Sequence, residues 1–321
     1  MDAIRTVTGL AECQELWRRV VPPESMTDLW GVRACFHHHY LRPPCFVVAE
    51  RGDEVTGLLP LCWIEEAGCF GYFPGETWEG KTWLEQNRLV ARDGRLLEAM
   101  LDRVPGPYHL RYLLPLRDIP LAEQVVDETG YLFRPPHYGC DIERYWGEFS
   151  PKAARKIKRA VAAIEDLGVA YRYDDLGDFD HMVRLNFERF GERSYFADAR
   201  FRESFRDLMW LLHQRGWLRM TTALIGGEPA AVDMGCLYRG TYTLVAGGTH
   251  ADYLGVAKVI NLHHMQRGCR ERMAEVDFLC GDFSWKPLFR LAPRPLYLIS
   301  NVVADTGHAA CVAAGEVVRV E

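Results

Sequence analysis

Thr241-Tyr-Thr-Leu-Val-Ala246, Leu254-Gly-Val-Ala257, Glu275-Val-Asp-Phe-Leu-Cys280 and Gly281-Asp-Phe-Ser-Trp-Lys286 follow one another in close succession. The first has the aromatic and β-branched content of a buried strand. The second opens a helix over about 256–272 with a small-residue turn. In the third, apolar residues at 276, 278 and 280 alternate with Asp277, which predicts a second strand. Strand, glycine-rich loop, helix and strand make a β-α-β unit. A helix that starts this way presents backbone N–H groups to a phosphate-bearing ligand. The charged residues Asp282 and Lys286 follow the second strand directly.

Around this unit lies a chain of 321 residues, enough for two domains with separate cores. Hydrophobic residues at 48% and charged ones at 26% are globular values, implying neither disorder nor a membrane span. A net charge of −6 excludes a general attraction to nucleic acid or anionic membrane, though not a local basic patch. The N-terminus has no secretory signature, and no apolar run approaches the ~20 residues that cross a bilayer. Ten cysteines are scattered without a Cys-x-x-Cys pair. They read as small core hydrophobes in a reducing, cytoplasmic protein.

Taken in order, residues 10–21 predict a short amphipathic helix. A second helix from near Ser25 carries Leu29, Val32 and Phe36 and runs into His37-His38-His39. Three successive histidines cannot share a direction, and no nearby carboxylate completes a metal site, so no metal is expected. A hairpin follows, turning at Arg51-Gly-Asp-Glu54, then a helix capped by Asp93 and a strand at 109–114. The second half repeats the plan. Strand 217–225 turns at Gly226-Gly227 into 230–238, and Arg239-Gly240 turns into the strand at 241. This predicts a tandem pair, 1–140 and 141–321, divided near Pro135 to Ile142.

At the divide, Ser150 is a plausible N-cap and Pro151 a first helical residue. Lys152, Arg155, Lys156, Lys158 and Arg159 line one side of that helix, and Ile157, Val161, Ile164 and Leu167 form its apolar stripe. The basic side is either a solvated face or a holder of phosphate groups.

Four features come in sequence: Phe149-Ser-Pro-Lys-x-x-Arg-Lys-x-x-Arg159, Gly216-Trp-Leu218, Gly226-Gly-Glu-Pro-Ala-Ala231 and Asp277-Phe-Leu-x-Gly-Asp-x-x-Trp-Lys286. In that order they resemble the GNAT-like acyltransferase superfamily, and within it the tandem-domain branch of Fem-type aminoacyl ligases and CelD-like acyltransferases. The resemblance spans about 20–290. It implies an α/β fold of mixed sheets in two tandem GNAT-like domains. It also implies acyl transfer from acyl-CoA, or from an aminoacyl-tRNA ester, to an amine without a covalent enzyme intermediate. On that basis Gly255, Val256 and Ala257 belong to the donor site, although only Gly255 and Ala257 of the family's phosphate motif are kept.

The chemistry needs a proton acceptor and donors for a developing oxyanion. Gly247 and Gly248 could supply backbone N–H groups, or simply end a strand. Asp233, a carboxylate in an apolar strand, is either a base or a hydrogen-bonded structural group. Asp282 could be the base or fix Lys286, and Lys286 could neutralise phosphate or the oxyanion. With the basic residues 152, 155, 156 and 159, these are the expected donor and catalytic groups. Gly75-Glu-Thr-Trp-Glu-Gly-Lys-Thr-Trp-Leu-Glu-Gln-Asn87 has no clear period. Trp78, Lys81, Trp83, Glu85 and Asn87 would suit a substrate wall, or an irregular packed loop. The expected partner is a small-molecule amine, with tRNA only if the donor is aminoacyl-tRNA, in a monomer or homodimer. A catalytically inactive binding protein on the same fold is the competing expectation.

Overall fold

The computed structural model describes residues 2–116, 124–281 and 285–302. The first half runs β1 (Ala3–Val7), α1 (Leu10–Val20), α2 (Trp30–Tyr40), β2 (Pro44–Arg51), β3 (Glu54–Ile64), β4 (Cys69–Tyr72), a small hairpin of β5 (Thr77–Trp78) and β6 (Lys81–Thr82), β7 (Val90–Ala91), α3 (Gly94–Leu101), β8 (His109–Leu113) and β9 (Val125–Phe133). The second continues with α4 (Ile142–Tyr145), α5 (Pro151–Glu165), β10 (Ala170–Tyr173), α6 (Asp178–Phe190), α7 (Ala199–Gln214), β11 (Leu218–Ile225) and β12 (Glu228–Tyr238). It ends with β13 (Thr241–Thr249), α8 (Val256–Arg270), β14 (Glu275–Asp277), α9 (Trp285–Leu288) and β15 (Ala292–Ser300).

Local chemistry explains the boundaries that matter. Arg239 and Gly240 both take positive φ (50° and 81°), the two-residue turn whose twist matches an antiparallel hairpin, and so β12 returns as β13. Ser150 caps α5 by accepting the Ala153 amide at 3.3 Å, with Pro151 in the first helical position. Asp93 caps α3 through the Leu96 amide at 2.8 Å. The second helix begins at Trp30 rather than near Ser25. A 3-10 turn over Met26–Asp28 intervenes, because the Asp28 carboxylate ties back to the Ser25 amide at 2.7 Å.

Two sheets carry the fold. One has the order β1-β2-β3-β4, with β7 on β3; the other has the order β10-β11-β12-β13-β14-β9-β15-β8. A parallel bridge from Phe70 to Tyr108 brings β4 to β8, and the Phe70 amide donates to the Pro107 carbonyl at 2.7 Å. From the β9–β15 pair, strands therefore run outward in matching order: β14, β13, β12, β11, β10 one way and β8, β4, β3, β2, β1 the other. Each arm is an antiparallel run, then a helix (α8 or α3), then a strand parallel to the run's last member. Each arm is completed by a strand from the opposite half of the chain, β9 beside β14 and β15 beside β8. A division at 140/141 thus follows the repeat of the sequence but not the sheet, since it separates β9 from β14.

Packing joins the halves a second time. Phe36 on α2 meets Phe201 and Phe205 of α7 edge-on at 6.0 and 5.4 Å. On the opposite face of the second-half sheet, α5 and α8 share a core with Tyr145, Trp146, Phe149 and Phe289. Among the described residues no helix is long and apolar enough to cross a membrane.

The strand exchange makes a stability prediction. A fragment of residues 141–321 lacks both β8 and β9, so one edge of β14 and both edges of β15 lose their partners. It is expected to be aggregated on size-exclusion chromatography, and co-expression with 1–140 is expected to restore a soluble complex.

Candidate active site

The site forms where two neighbouring strands part. β13 and β14 pair in parallel over Thr241–Glu275, Tyr242–Val276 and Thr243–Asp277 only, while β13 continues to Thr249. Beyond Thr243, that edge of β13 has no strand beside it among the described residues. Its hydrogen-bond alternation follows from one contact. The His250 amide donates to the Ala230 carbonyl at 2.8 Å, so Gly248 and Val232 exchange bonds and Gly247 and Asp233 do not. Both the N–H and the C=O of Gly247 therefore point off the open edge. Its carbonyl accepts Asn186 Nδ2 at 2.8 Å and the Tyr195 hydroxyl at 3.4 Å. Its amide takes no acceptor among the described residues and faces the opening.

The two glycines are required by close approach. A Cβ on Gly247 would lie 2.3 Å from Asp233 Oδ1, and one on Gly248 would lie 2.4 Å from the Met182 carbonyl of α6. The expectation for this pair divides. Gly247 directs an amide into the opening, whereas Gly248 lies inside the ladder, bonded to Val232.

At the same end of β13 the chain turns into α8. No side chain caps that helix, and the Ala257 amide in its first turn takes no acceptor among the described residues. A Cβ built on Gly255 would meet Ile164 of α5 at 3.8 Å, so the start of α8 adjoins α5. The basic side chains Lys152, Arg155, Lys156 and Arg159 are exposed and make no ion pair among the described residues. Lys158 differs, pairing with Glu143 at 3.1 Å over the Trp146 ring. The turn after Lys286 packs on the segment that precedes this helix: the Tyr145 hydroxyl donates to the Phe289 carbonyl at 2.6 Å, and Arg290 lies over Phe149. The two stretches, far apart in sequence, thus share one region.

β14 ends at Asp277, earlier than its alternating pattern predicts, because Leu279 takes φ 55° and Gly281 φ 102°. The resulting turn grips Lys286, which is only 2% exposed. Its Nζ donates to the carbonyls of Phe278, Leu279 and Cys280 at 2.9, 2.9 and 2.7 Å, as many acceptors as an ammonium has protons. Burial pulls its proton affinity below the usual lysine range. Asp277 is equally engaged, accepting Arg294 at 2.7 Å, Gln86 Nε2 at 2.9 Å and the Leu279 amide at 2.9 Å.

The irregular loop of the first half closes over this turn. Both Glu85 oxygens accept the Cys280 amide, at 2.8 and 3.0 Å. Burial, reinforced by the charge of Asp277, raises its proton affinity well above the usual carboxylate range. Trp78 is half-buried, edge-on to Tyr195 at 5.8 Å, and so stands near the Gly247 edge. Lys81 pairs with Glu128 at 3.5 Å. Trp83 and Asn87 are packing groups. Trp83 lies 4.7 Å from the Phe205 ring, and Asn87 accepts Arg33 at 2.8 Å while donating to the Arg111 carbonyl.

Asp233 is buried with Oδ2 2.9 Å from His264 Nε2, tying β12 to α8, while its Oδ1 lies against Gly247. Asp282 lies outside the described residues. Cys280, expected inward beside Val276 and Phe278, is partly exposed because the turn at Leu279 reverses the alternation. His39 pairs with Asp207 at 2.8 Å and His37 is buried against Phe73. Asn186 and Tyr195 were not foreseen. The signal for Asn186 was present, a polar residue on the apolar stripe of Phe179 and Met182. A cavity of about 320 Å³ lies elsewhere, in the first half, lined by Val20, Arg88, Leu97 and Leu114.

Residues 151–287 match the family model for the acetyltransferase (GNAT) domain. Among solved structures, a conserved protein of unknown function from Bacteroides thetaiotaomicron VPI-5482 is similar, with a TM-score of 0.57 at 11% identity over 93% of this chain and 99% of that one. FemX aligns with a TM-score of 0.54 at 9% identity, covering 93% and 97%. The C-terminal domain of a putative lysylphosphatidylglycerol synthetase from Agrobacterium fabrum gives 0.52 at 11%, covering 94% and 95%. These likenesses are of fold. No curated protein matches the chain.

The close approaches predict the cost of one methyl group. Gly248→Ala sets a Cβ against backbone of α6, which cannot yield as a side chain would, and is expected to destabilise by about 1–3 kcal/mol in denaturant titration. Gly52→Ala, in an exposed turn with open space around it, is expected to cost less despite its positive φ.

Proposed function

We propose that this chain, which carries a GNAT domain over residues 151–287 in a tandem GNAT-like fold, is an N-acyltransferase that moves an acyl group from acyl-CoA to the amine of a small molecule. The parting of β13 from β14, with the Gly247 amide directed into the opening and the α8 N-terminus at the same end, carries the reading. The amine nitrogen attacks the thioester carbonyl. The C–N bond forms as the C–S bond breaks, coenzyme A leaves as thiolate, and the amine gives up its proton.

In this reading the Gly247 amide stabilises the oxygen as it becomes negative. Gly255, Val256 and Ala257 receive the pyrophosphate at the start of α8, and Lys152, Arg155, Lys156 and Arg159 meet the remaining phosphates. Lys286 holds the strand-end turn and sets positive charge beside the opening. Asp282 is the carboxylate assigned to take the amine proton. Trp78, with Tyr195, forms the wall on the acceptor side. The protein acts in the cytoplasm, where coenzyme A esters are available.

The exposed basic face of α5, four of whose cations make no ion pair among the described residues, also suits a longer polyanion, so transfer from aminoacyl-tRNA, as the Fem-type resemblance implies, is the second reading. Incubation with radiolabelled acetyl-CoA and with charged tRNA, over a panel of amines, separates them. Transfer from the first donor alone is expected; transfer from neither leaves a binding protein. The quadruple variant K152A/R155A/K156A/R159A is expected to weaken coenzyme A binding about tenfold, because exposed ion pairs contribute ~0.2–1 kcal/mol each. Its Tm is expected to stay unchanged, since these side chains are exposed and make no ion pair among the described residues.

A further inference from the structure

Glu85 and Lys286 come from opposite halves of the chain and act on the same short turn. Glu85 takes the Cys280 amide on one side. Lys286 takes the carbonyls of residues 278 to 280 on the other. Both are buried, Glu85 at 8% and Lys286 at 2% exposure. The turn is strained into its shape by the positive φ of Leu279, a conformation that leucine rarely adopts, and so needs external restraint.

We propose that Glu85 is a positioning residue for Lys286: by holding the Cys280 amide it fixes the carbonyl cage around the ammonium, and its carboxylate supplies the opposing charge that keeps the cage occupied. The inference rests on the reading of Lys286 as part of the transfer site. It makes the first half's loop a component of that site through charge rather than through contact with substrate.

Other charged groups face the pair. Asp277, Glu128 and the Cys280 thiol act on Lys286 with Glu85, and the Tyr131 ring lies 5.4 Å from its Nζ. Asp277 and Arg294 act on Glu85 with opposite signs. Asp277 is already paired with Arg294 at 2.7 Å, whereas Glu85 makes no ion pair among the described residues and is the largest of the charges that favour the Lys286 ammonium. A buried ammonium without such a partner loses its proton more readily. Removing the Glu85 charge therefore lowers the pH at which Lys286 deprotonates.

The test is Glu85→Gln, which keeps an oxygen to accept the Cys280 amide but removes the charge, beside Glu85→Ala, which removes both. Lys286 is followed directly by ¹³C NMR of labelled lysine, its signal assigned with Lys286→Arg. In E85Q the Lys286 titration is expected to move to lower pH by about one unit, with Tm unchanged. In the transfer assay the alkaline limb of kcat/KM is expected to follow by the same amount, with little change in KM for the donor. E85A is expected to show the same pH displacement and, in addition, a loss of kcat that E85Q lacks. A Lys286 titration that stays in place in E85Q overturns the proposal. If the wild-type protein transfers no acyl group, the acyltransferase reading fails, while the NMR titration still decides whether Glu85 governs Lys286.

Discussion

The exchange of β9 and β15 between the two halves is the constraint on which the rest depends. Strands of a sheet need partners for their backbone groups, and neither arm supplies its own last partner. β9 completes the ladder of β14, β15 completes that of β8, and the two pair with one another from Ala292–Leu132 to Leu298–Val125. The halves are therefore held by hydrogen-bonded backbone as well as by the aromatic contact of α2 with α7. The loop that carries Glu85 and Gln86 can then meet the end of β14 at a fixed distance.

The opening beside β13 depends on this in turn. β14 leaves β13 after three pairs because the chain beyond Asp277 bonds elsewhere: the Phe278 amide to the Tyr131 carbonyl, and the Tyr131 amide to the Leu279 carbonyl at 3.2 Å. β9 thus draws the end of β14 away from β13. Burying charge at such a place is costly unless each group is matched. Asp277 has Arg294 and Gln86, Lys286 has three carbonyls, and Glu85 has the Cys280 amide. On the other side of the opening the Ser194 hydroxyl donates to Asn186 Oδ1 at 2.7 Å, and Asn186 in turn holds the Gly247 carbonyl. The amide left over at Gly247 is the one group of this set that points outward without an acceptor among the described residues.

Much of this was legible in the residues. The Arg239-Gly240 turn, the Ser150 and Asp93 caps, the β-α-β order from Thr241 and the doubling of the plan all follow from local preferences that act within a few residues. The tandem GNAT-like resemblance carried the fold class. Of the residues read from one loop as a substrate wall or an irregular packed loop, Trp78 stands beside Tyr195 and Glu85 holds the Cys280 amide, while Trp83 packs on Phe205 and Asn87 bonds Arg33 and the Arg111 carbonyl. Nothing local distinguishes them, since an aromatic or amide side chain serves a wall and a core equally well. Asp233 shows the same ambiguity. Its strand position announced a buried carboxylate, but its partner, His264, is reached only when α8 folds back onto β12.

What the sequence by itself determined is therefore the set of elements and their order, because strand alternation, caps and turns are encoded at short range. What only the tertiary structure decided is which ends those elements share. The strand exchange, the early end of β14 at Asp277, whose next residues bond Tyr131, and the meeting of Glu85 with the Cys280 amide each join residues remote in sequence. The reason is physical: an unpaired edge or a buried charge must find a partner somewhere, but its own residue type does not specify where that partner lies along the chain.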